Sequence, residues 1–196
     1  MALIFWFVSY VVTSGGEILP RITISGHPGS GTSTLVSGIC KEMDWTSLNG
    51  GQIFREEAMK RNMSLSEFGD LCANDFSVDK SLDDILKKKM KDPEGPQVME
   101  SRLSGWWAYQ LNLNCIRIWL DVEESIRALR VVKREDVTLE EAIAANKKRS
   151  EIDLARYKAM YGLDPEDPEP YTHVIEASNK SALEVLEQTL QLLRGA

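Results

Sequence analysis

The stretch Arg21–Thr34, RITISGHPGSGTST, determines the fold class predicted for this 196-residue chain. Its first five residues alternate and are rich in β-branched side chains, which predicts a short buried strand. A glycine-rich turn follows over residues 26–31, and the hydroxyl-rich segment 32–36 then opens a helix. A strand, a glycine loop and a helix N-terminus direct several backbone N–H groups at one point. The stretch therefore predicts an anion-binding site.

The loop has the spacing of a phosphate loop, with one substitution. Four residues separate Gly26 from Gly31, and Ser33 supplies the hydroxyl that such loops use to bind Mg²⁺. Thr32 stands where lysine normally offsets charge on the β- and γ-phosphates, so positive charge must come from elsewhere. The residues expected to hold the phosphates of a donor nucleotide are Gly26, His27, Pro28, Gly29, Ser30, Gly31, Thr32, Ser33 and Thr34.

Hydrophobic periodicity and capping residues extend the pattern along the chain. Further strands are predicted at residues 45–49, 97–100, 115–120 and 173–177. Helices are predicted to about residue 43 and over 52–60, 65–74, 78–91, 123–135, 139–161 and after Ser181. Strands that alternate with helices indicate an α/β fold, a five-stranded parallel sheet with helices on both faces. Such sheets bind ligands at the carboxyl ends of their strands, where this loop lies.

Composition narrows the possible partners. The formal net charge is −7, which argues against a broad nucleic-acid or anionic-membrane surface. Cys40, Cys72 and Cys115 are widely spaced, which favours reduced thiols over disulfides or metal ligation. We therefore expect a cytoplasmic monomer whose partners are small molecules rather than nucleic acid or a membrane.

An apolar segment, residues 2–12, precedes the predicted domain. It is about half the length of a membrane span, and no lysine or arginine precedes Arg21 as a signal peptide would require. We expect residues 1–20 to be an extension produced by a mis-assigned start codon, followed by a single domain over 21–196. An additional strand, an oligomer contact and a weak membrane anchor are the alternatives that remain open.

Two predicted helices carry arginines that could replace the missing lysine. The spacing is i, i+3, i+7 on the first helix and i, i+7 on the second, so each set shares a face. The residues are Arg127, Arg130 and Arg134, then Arg149 and Arg156. A solvated helix face, with Arg149 paired to Asp153, is the alternative. Two successive arginine-lined helices favour a hinged lid that closes over transferring phosphates, with Arg130, Arg134, Arg149 and Arg156 as the candidate catalytic residues.

Charged residues that follow the second and third strands complete the candidate site. Arg55 and Arg102 would project at the sheet edge that carries the glycine loop, where they could clamp a second phosphate group. Glu100, at the end of its strand, is placed to help hold Mg²⁺ beside the loop serine. Asp121, after the fourth strand, is the competing candidate.

These motifs resemble the nucleoside monophosphate kinases, and most closely the archaeal-type cytidylate kinases. ISGHPGSGTST (24–34) is similar to that family's loop, in which threonine also stands at the lysine position. GQIFRE (51–56) resembles its GDIFR element, and SRLSGW (101–106) resembles its GRLAGW element. KRSEIDLARY (148–157), with MYGLD (160–164), resembles its lid segment. The resemblance covers about residues 21–193.

The resemblance implies a three-layer P-loop kinase with a helical acceptor-binding insertion at about residues 50–92 and a helical lid at about 130–158. It implies transfer of the γ-phosphate of ATP to CMP or dCMP, with Mg²⁺ as cofactor. Arg55 and Arg102 would bind the acceptor phosphate, Asp153 would face the acceptor sugar, and Arg156 would contact its phosphate or base. A kinase for AMP or UMP and a non-catalytic ATP-binding regulatory protein remain open.

Two residues depart from the family pattern. Gln52 stands where the family has aspartate, so we expect it to affect acceptor orientation or base choice. His27 replaces a common proline at the tip of the loop, where we expect its side chain to occupy solvent space.

Overall fold

A computed structural model describes residues 20–195, without the side chains of residues 65, 66, 73, 134 and 135. The predicted N-terminal extension thus lies outside the described residues, apart from Pro20. The elements in chain order are β1 (Ile22–Gly26), α1 (Thr32–Met43), β2 (Ser47–Asn49), α2 (Gly50–Lys60), α3 (Leu65–Asn74), α4 (Phe76–Met90), β3 (Val98–Glu100), α5 (Ser104–Gln110), β4 (Ile116–Asp121), α6 (Glu124–Glu135), α7 (Leu139–Tyr161), β5 (His173–Glu176) and α8 (Ala182–Gly195). Each predicted strand is present within about two residues of its predicted limits.

The five strands form one parallel sheet in the order β2-β3-β1-β4-β5. The register pairs Asn49 and Ile24 with Glu100, and Gly26 with Leu120. The strands therefore end at one edge, the carboxyl edge, where β1 leads into the phosphate loop. The predicted α/β fold with a parallel sheet is confirmed.

Helices cover both faces of the sheet, which gives the three-layer α/β/α arrangement. On one face, α1 and α8 pack against β1 and β4 through apolar side chains such as Ile39 and Val185. On the other face, α4, α5 and α7 form a core around Leu86, Trp107 and Tyr157. Burying side chains of this size contributes about 1.5–3 kcal/mol each, so the two cores fix the central strands.

Two helical units stand beside the carboxyl edge. Helices α2, α3 and α4 share a small core around Phe68, whose ring lies 4.8 Å from that of Phe54. Helices α6 and α7 pack through Ala128 and Ala142, and a turn with Asp136 in the left-handed region joins them. These units occupy the positions expected for an acceptor-binding insertion and a lid, and those assignments remain predictions. Across residues 20–195, no helix combines the length and apolar character needed to cross a membrane.

Candidate active site

The phosphate loop connects β1 to α1 and depends on two glycines with positive φ. Gly29 has φ +82° and Gly31 has φ +94°, a region that other residues adopt at a cost. A Cβ on Gly29 would also lie 2.7 Å from the carbonyl oxygen of Arg127. The loop thus turns tightly into the N-terminus of α1, where free backbone N–H groups attract an anion.

Thr32 and Ser33 bond to the same carboxylate, Glu100 at the end of β3. Thr32 Oγ1 donates to Glu100 Oε1 at 2.5 Å, and Ser33 Oγ lies 3.2 Å from the same oxygen and 3.4 Å from Oε2. In the part of the chain that the structure describes, Asp121 makes no such contact with Ser33. The side chain at the lysine position is therefore an uncharged donor to an acid.

The donor set around Glu100 fits Mg²⁺ bound together with phosphates. The structure shows, within residues 20–195, no group of three His, Cys, Asp or Glu side chains that could hold a metal alone. Mg²⁺ commonly takes one or two carboxylate oxygens and completes its octahedron with water and substrate phosphates. A hydroxyl and a carboxylate that converge at the phosphate loop, Ser33 and Glu100, supply that kind of incomplete site.

A buried hydroxyl network fixes the loop that carries Arg102 to β1. Ser104 Oγ lies 3.0 Å from Ser25 Oγ and 3.1 Å from the carbonyl oxygen of Ile24. Ser104 Oγ also accepts a hydrogen bond from the backbone N–H of Ser101 at 3.2 Å. Arg102 itself donates through Nη1 to the carbonyl oxygen of Gly26. The segment after β3 that carries Arg102 is therefore held beside the phosphate loop by hydrogen bonds.

Two arginines of α6 bind the backbone around the phosphate loop instead of projecting over it. Arg127 is buried and donates to the carbonyl oxygens of Val122 at 3.0 Å and Pro28 at 3.4 Å. Arg130 donates to those of Ser30 at 2.7 Å and Ala177 at 2.8 Å.

Burial lowers the pKa of both guanidinium groups, which nevertheless stay protonated. The expectation that Arg130 belongs to a mobile lid conflicts with its position beside the loop, because its hydrogen bonds tie it to the loop and to Ala177, the residue after β5. The side chain of Arg134 lies outside the described residues. The catalytic roles predicted for Arg130 and Arg134 remain predictions.

A cleft of about 810 Å³ opens at the carboxyl edge between the phosphate loop, α2–α4 and α7. It brings together most of the side chains that the sequence predicts for the site. The predicted residues on its wall are Gly26, His27, Pro28, Gly29, Thr32, Ser33, Arg55, Glu100, Arg102, Arg149, Asp153 and Arg156. Among the predicted residues whose side chains the structure describes, Ser30, Gly31, Thr34 and Arg130 are absent from its wall. A cleft of this volume is within the range of small-molecule sites.

A chain of alternating charges crosses the cleft. Asp153 of α7 accepts from Arg102 Nε at 3.1 Å and from Arg156 Nη2 at 3.2 Å. Arg156 Nε in turn lies 3.2 Å from Asp79 Oδ2 on α4. The Arg149–Asp153 pair of the alternative interpretation is absent among the ion pairs of the described residues, and Arg149 is exposed at the cleft instead. The network links the loop after β3, the predicted lid and the predicted acceptor-binding insertion.

Two carboxylates on α4, the buried Asp79 and the partly buried Asp83, are not predicted from the sequence. Asp83 accepts hydrogen bonds from Trp107 Nε1 at 3.2 Å and from Tyr161 Oη at 2.8 Å. Burial raises the pKa of Asp83 to about 6, although both hydrogen bonds favour its ionised form. Burial also raises the pKa of Asp79, and the nearby Arg156 guanidinium opposes that rise. The i, i+4 spacing of these aspartates was the available signal, since it places both on one helix face.

His27 does not occupy solvent space as expected. Its Nε2 lies 3.0 Å from Glu166 Oε1, its Nδ1 lies 3.3 Å from Ser150 Oγ, and its ring packs edge-on against Trp119. Burial lowers the pKa of the imidazole, with Glu166 acting in the opposite direction. His27 thus connects the phosphate loop to α7 and to the loop before β5.

Gln52 points away from the cleft. Its side-chain Nε2 donates to Glu56 Oε1 at 2.9 Å along the outer face of α2, and its backbone N–H donates to Asn49 Oδ1, the N-cap. The cleft wall is formed by the neighbours Gly51 and Ile53. The geometry therefore gives no support to a direct role for Gln52 in base choice.

Comparison with known proteins yields matches over most of the chain. A family model described as an AAA domain matches residues 25–141. A cytidylate kinase from Halobacterium salinarum is 40% identical over 146 residues, which cover 74% of this chain and 74% of that protein. A cytidylate kinase from Methanothrix thermoacetophila is 35% identical over 174 residues, which cover 89% of this chain and 98% of that protein.

Solved structures support the fold at low sequence identity. An uncharacterized protein from Eubacterium ventriosum has a TM-score of 0.70 at 15% identity, covering 91% of this chain and 100% of that chain. A shikimate kinase from Acinetobacter baumannii, solved in complex with shikimate, has a TM-score of 0.56 at 15% identity, covering 91% and 95%. These likenesses concern the arrangement of sheet and helices.

Proposed function

The chain belongs to the cytidylate kinase family, and on that premise we propose that it transfers the γ-phosphate of ATP to CMP or dCMP. The products are ADP and CDP or dCDP. The observation that carries the proposal is the shared cleft. The phosphate loop lies beside Arg102, and Arg55 and Arg156 line the same cleft. One cleft can therefore hold two phosphate groups at once.

The donor side is the phosphate loop. Backbone N–H groups of residues 26–33, apart from Pro28, which has none, would bind the phosphates of ATP, as in other phosphate loops. Ser33 and Glu100 would hold Mg²⁺, which would neutralise charge on the phosphates when bound. Because Thr32 carries no charge, the exposed Arg149 and the arginines of the charge network would supply positive charge near the transferring group.

The acceptor side requires no general base. A monophosphate oxygen is already a nucleophile at neutral pH, so positioning and charge stabilisation carry the rate. Arg55 and Arg102 would bind the acceptor phosphate, and guanidinium groups suit this role because they bind phosphate oxygens in a bidentate way. Phosphate binding to Arg102 would compete with its present partner Asp153, which would be free to turn towards the acceptor sugar.

We propose further that residues 21–196 form one domain, with the acceptor-binding region at about 50–92 and the lid at about 130–158. Helix α7 would move with the lid and bring Arg149 and Arg156 over the phosphates. We also propose that the protein is cytoplasmic and monomeric, and light scattering of the purified full chain tests whether it is a monomer.

A coupled ADP-release assay tests the activity. We expect turnover with ATP and Mg²⁺ to be highest for CMP or dCMP when these are compared with UMP and AMP. Faster turnover with UMP or AMP would assign the protein to a different nucleoside monophosphate. ATP binding without ADP release for any of the four acceptors would instead show a binding protein.

A further inference from the structure

His27, at the tip of the phosphate loop, contacts three other parts of the chain. Its Nδ1 lies 3.3 Å from Ser150 Oγ on α7, and its Nε2 lies 3.0 Å from Glu166 Oε1 in the loop before β5. Its ring centroid lies 5.2 Å from that of Trp119 on β4, edge to face. The His27 side chain is only 17% exposed, so these contacts fix the imidazole.

The partners of the two ring nitrogens determine where the proton lies. An ionised carboxylate only accepts hydrogen bonds, so the N–H that faces Glu166 is on Nε2. The hydroxyl of Ser150 can donate, which leaves Nδ1 as the acceptor of a neutral ring. Burial lowers the pKa of the imidazole, as do Arg127 and Arg102, and Glu166 opposes them. The neutral ring with its proton on Nε2 therefore satisfies both partners.

Helix α7 is held to the carboxyl edge of the sheet at two neighbouring points. One is the ion pair of Asp153 with Arg102, and the other is the uncharged pair of Ser150 with His27. A cavity of about 10 Å³ at this junction has all four side chains on its wall, and it holds no more than about one water molecule. An acceptor phosphate would compete for Arg102, but it would leave the second contact, because neither of its partners carries a charge.

We propose that His27 is a positioning residue that keeps the middle of α7 beside the phosphate loop, through Ser150, when a substrate phosphate displaces Asp153 from Arg102. The inference rests on the proposed function and deepens it. Ser150 directly follows Arg149, which is exposed at the cleft. The contact is the point about which α7 turns, and it sets how far the Arg149 guanidinium lies from the phosphates of the donor.

Two variants of His27 separate the roles of its nitrogens. In His27→Asn the side-chain amide reaches the position of Nδ1, and in His27→Gln it reaches that of Nε2. Both variants lose the ring contact with Trp119, so the difference between them isolates the bond to Ser150. We expect kcat of His27→Asn to exceed that of His27→Gln at least about threefold, within the range of one hydrogen bond. Equal kcat values, or the reverse order, would overturn the proposal.

Ser150→Ala tests the other end of the contact and leaves the loop intact. We expect kcat to fall at least about threefold while KM for ATP stays within about twofold of wild type, because the loop still binds the donor. In the double variant with His27→Gln, kcat should fall no further than in the lower single variant. Losses that multiply would show two independent roles and would overturn the proposal.

His173→Gln is the matched control. His173 is the other histidine of the chain, and its Nδ1 lies 2.9 Å from the neighbouring Thr172 Oγ1, away from the loop and α7. We expect its kcat to stay within about twofold of wild type. A fall as large as that of His27→Gln would overturn the assignment of the effect to the Ser150 contact.

Nitrogen-15 NMR of the imidazole rings tests the contact without an activity assay, including the case in which a His27 variant does not fold. Signals are assigned with His173→Gln. At pH 7.5 we expect the proton of His27 on Nε2, and Ser150→Ala should shift the Nδ1 signal. A proton on Nδ1, or an Nδ1 signal unmoved by Ser150→Ala, would overturn the inference. If wild type released no ADP while these NMR results held, the proposed activity would fail and the contact would stand, so the two failures are distinguishable.

Discussion

Replacing Asp83 by asparagine should raise the free energy of unfolding, relative to wild type, by more at neutral pH than at acidic pH. The Asp83 carboxyl is partly buried beside Trp107 and Tyr161, and the loss of water around it raises its pKa from 3.8 to about 6. Of the other charged neighbours, Asp79 adds to the rise and Lys87 opposes it. Ionised Asp83 therefore costs folding free energy, and asparagine removes that ionisation while keeping the shape of the side chain.

The magnitude follows from the two pKa values. The difference between 3.8 and about 6 is worth about 3 kcal/mol, at 1.36 kcal/mol per pKa unit. Because the folded carboxyl binds its proton more tightly than the unfolded one, wild-type stability is greatest below the unfolded pKa and falls as pH rises through the folded pKa. By this linkage the penalty is about 1 kcal/mol at pH 4.5 and about 3 kcal/mol at pH 7.5.

Urea unfolding of both proteins at these two pH values measures the effect. The free energy of unfolding of Asp83→Asn relative to wild type should rise by about 2 kcal/mol between pH 4.5 and pH 7.5. Asparagine loses part of the hydrogen bonding to Tyr161, so the change with pH is the informative quantity. Asp84→Asn, at an exposed neighbour, should change by no more than about 0.5 kcal/mol. A constant difference for Asp83→Asn at both pH values would refute the buried-charge argument.

Three further predictions concern activity. Arg102→Ala and Arg156→Ala should each lower kcat by at least about a hundredfold, a loss of about 2.7 kcal/mol, and wild-type rates in both would remove the phosphate-clamp model. Thr32→Val removes the hydroxyl that donates to Glu100 and should lower kcat at least about tenfold, measured across a Mg²⁺ titration. Thr32→Ser keeps that donor, and its kcat should stay within about threefold of wild type. Gln52→Ala should leave the ratio of kcat/KM for CMP to that for UMP within about twofold of wild type, since its side chain bonds to Glu56, and a larger change in steady-state kinetics would contradict that orientation.

The sequence predicts the fold well because local patterns carry it. The strand, the glycine loop and the start of α1 are encoded within fourteen consecutive residues. The capping residue Ser64 precedes the helix predicted over 65–74, and the structure confirms that start. Helix α5 was not predicted, because seven residues with a glycine and three aromatic side chains are too short to show helical periodicity.

The contacts of the site were harder to predict because they join distant parts of the chain. Asp153 pairs with Arg102, 51 residues away, in preference to Arg149 on its own helix. The half-buried guanidinium of Arg102 attracts Asp153 more strongly than the exposed guanidinium of Arg149 does, because water screens the exposed charge. His27 was misjudged for a related reason, since a loop tip looks exposed until α7 packs beside it.

The buried hydroxyl network of Ser25 and Ser104 has a consequence for the kinetic order of the reaction. It joins the phosphate loop to the segment that carries Arg102 within the folded framework. The spacing between the two phosphate sites is then set before either nucleotide arrives, and neither substrate has to build the site of the other. Under the proposed activity, ATP and the acceptor should therefore bind in either order.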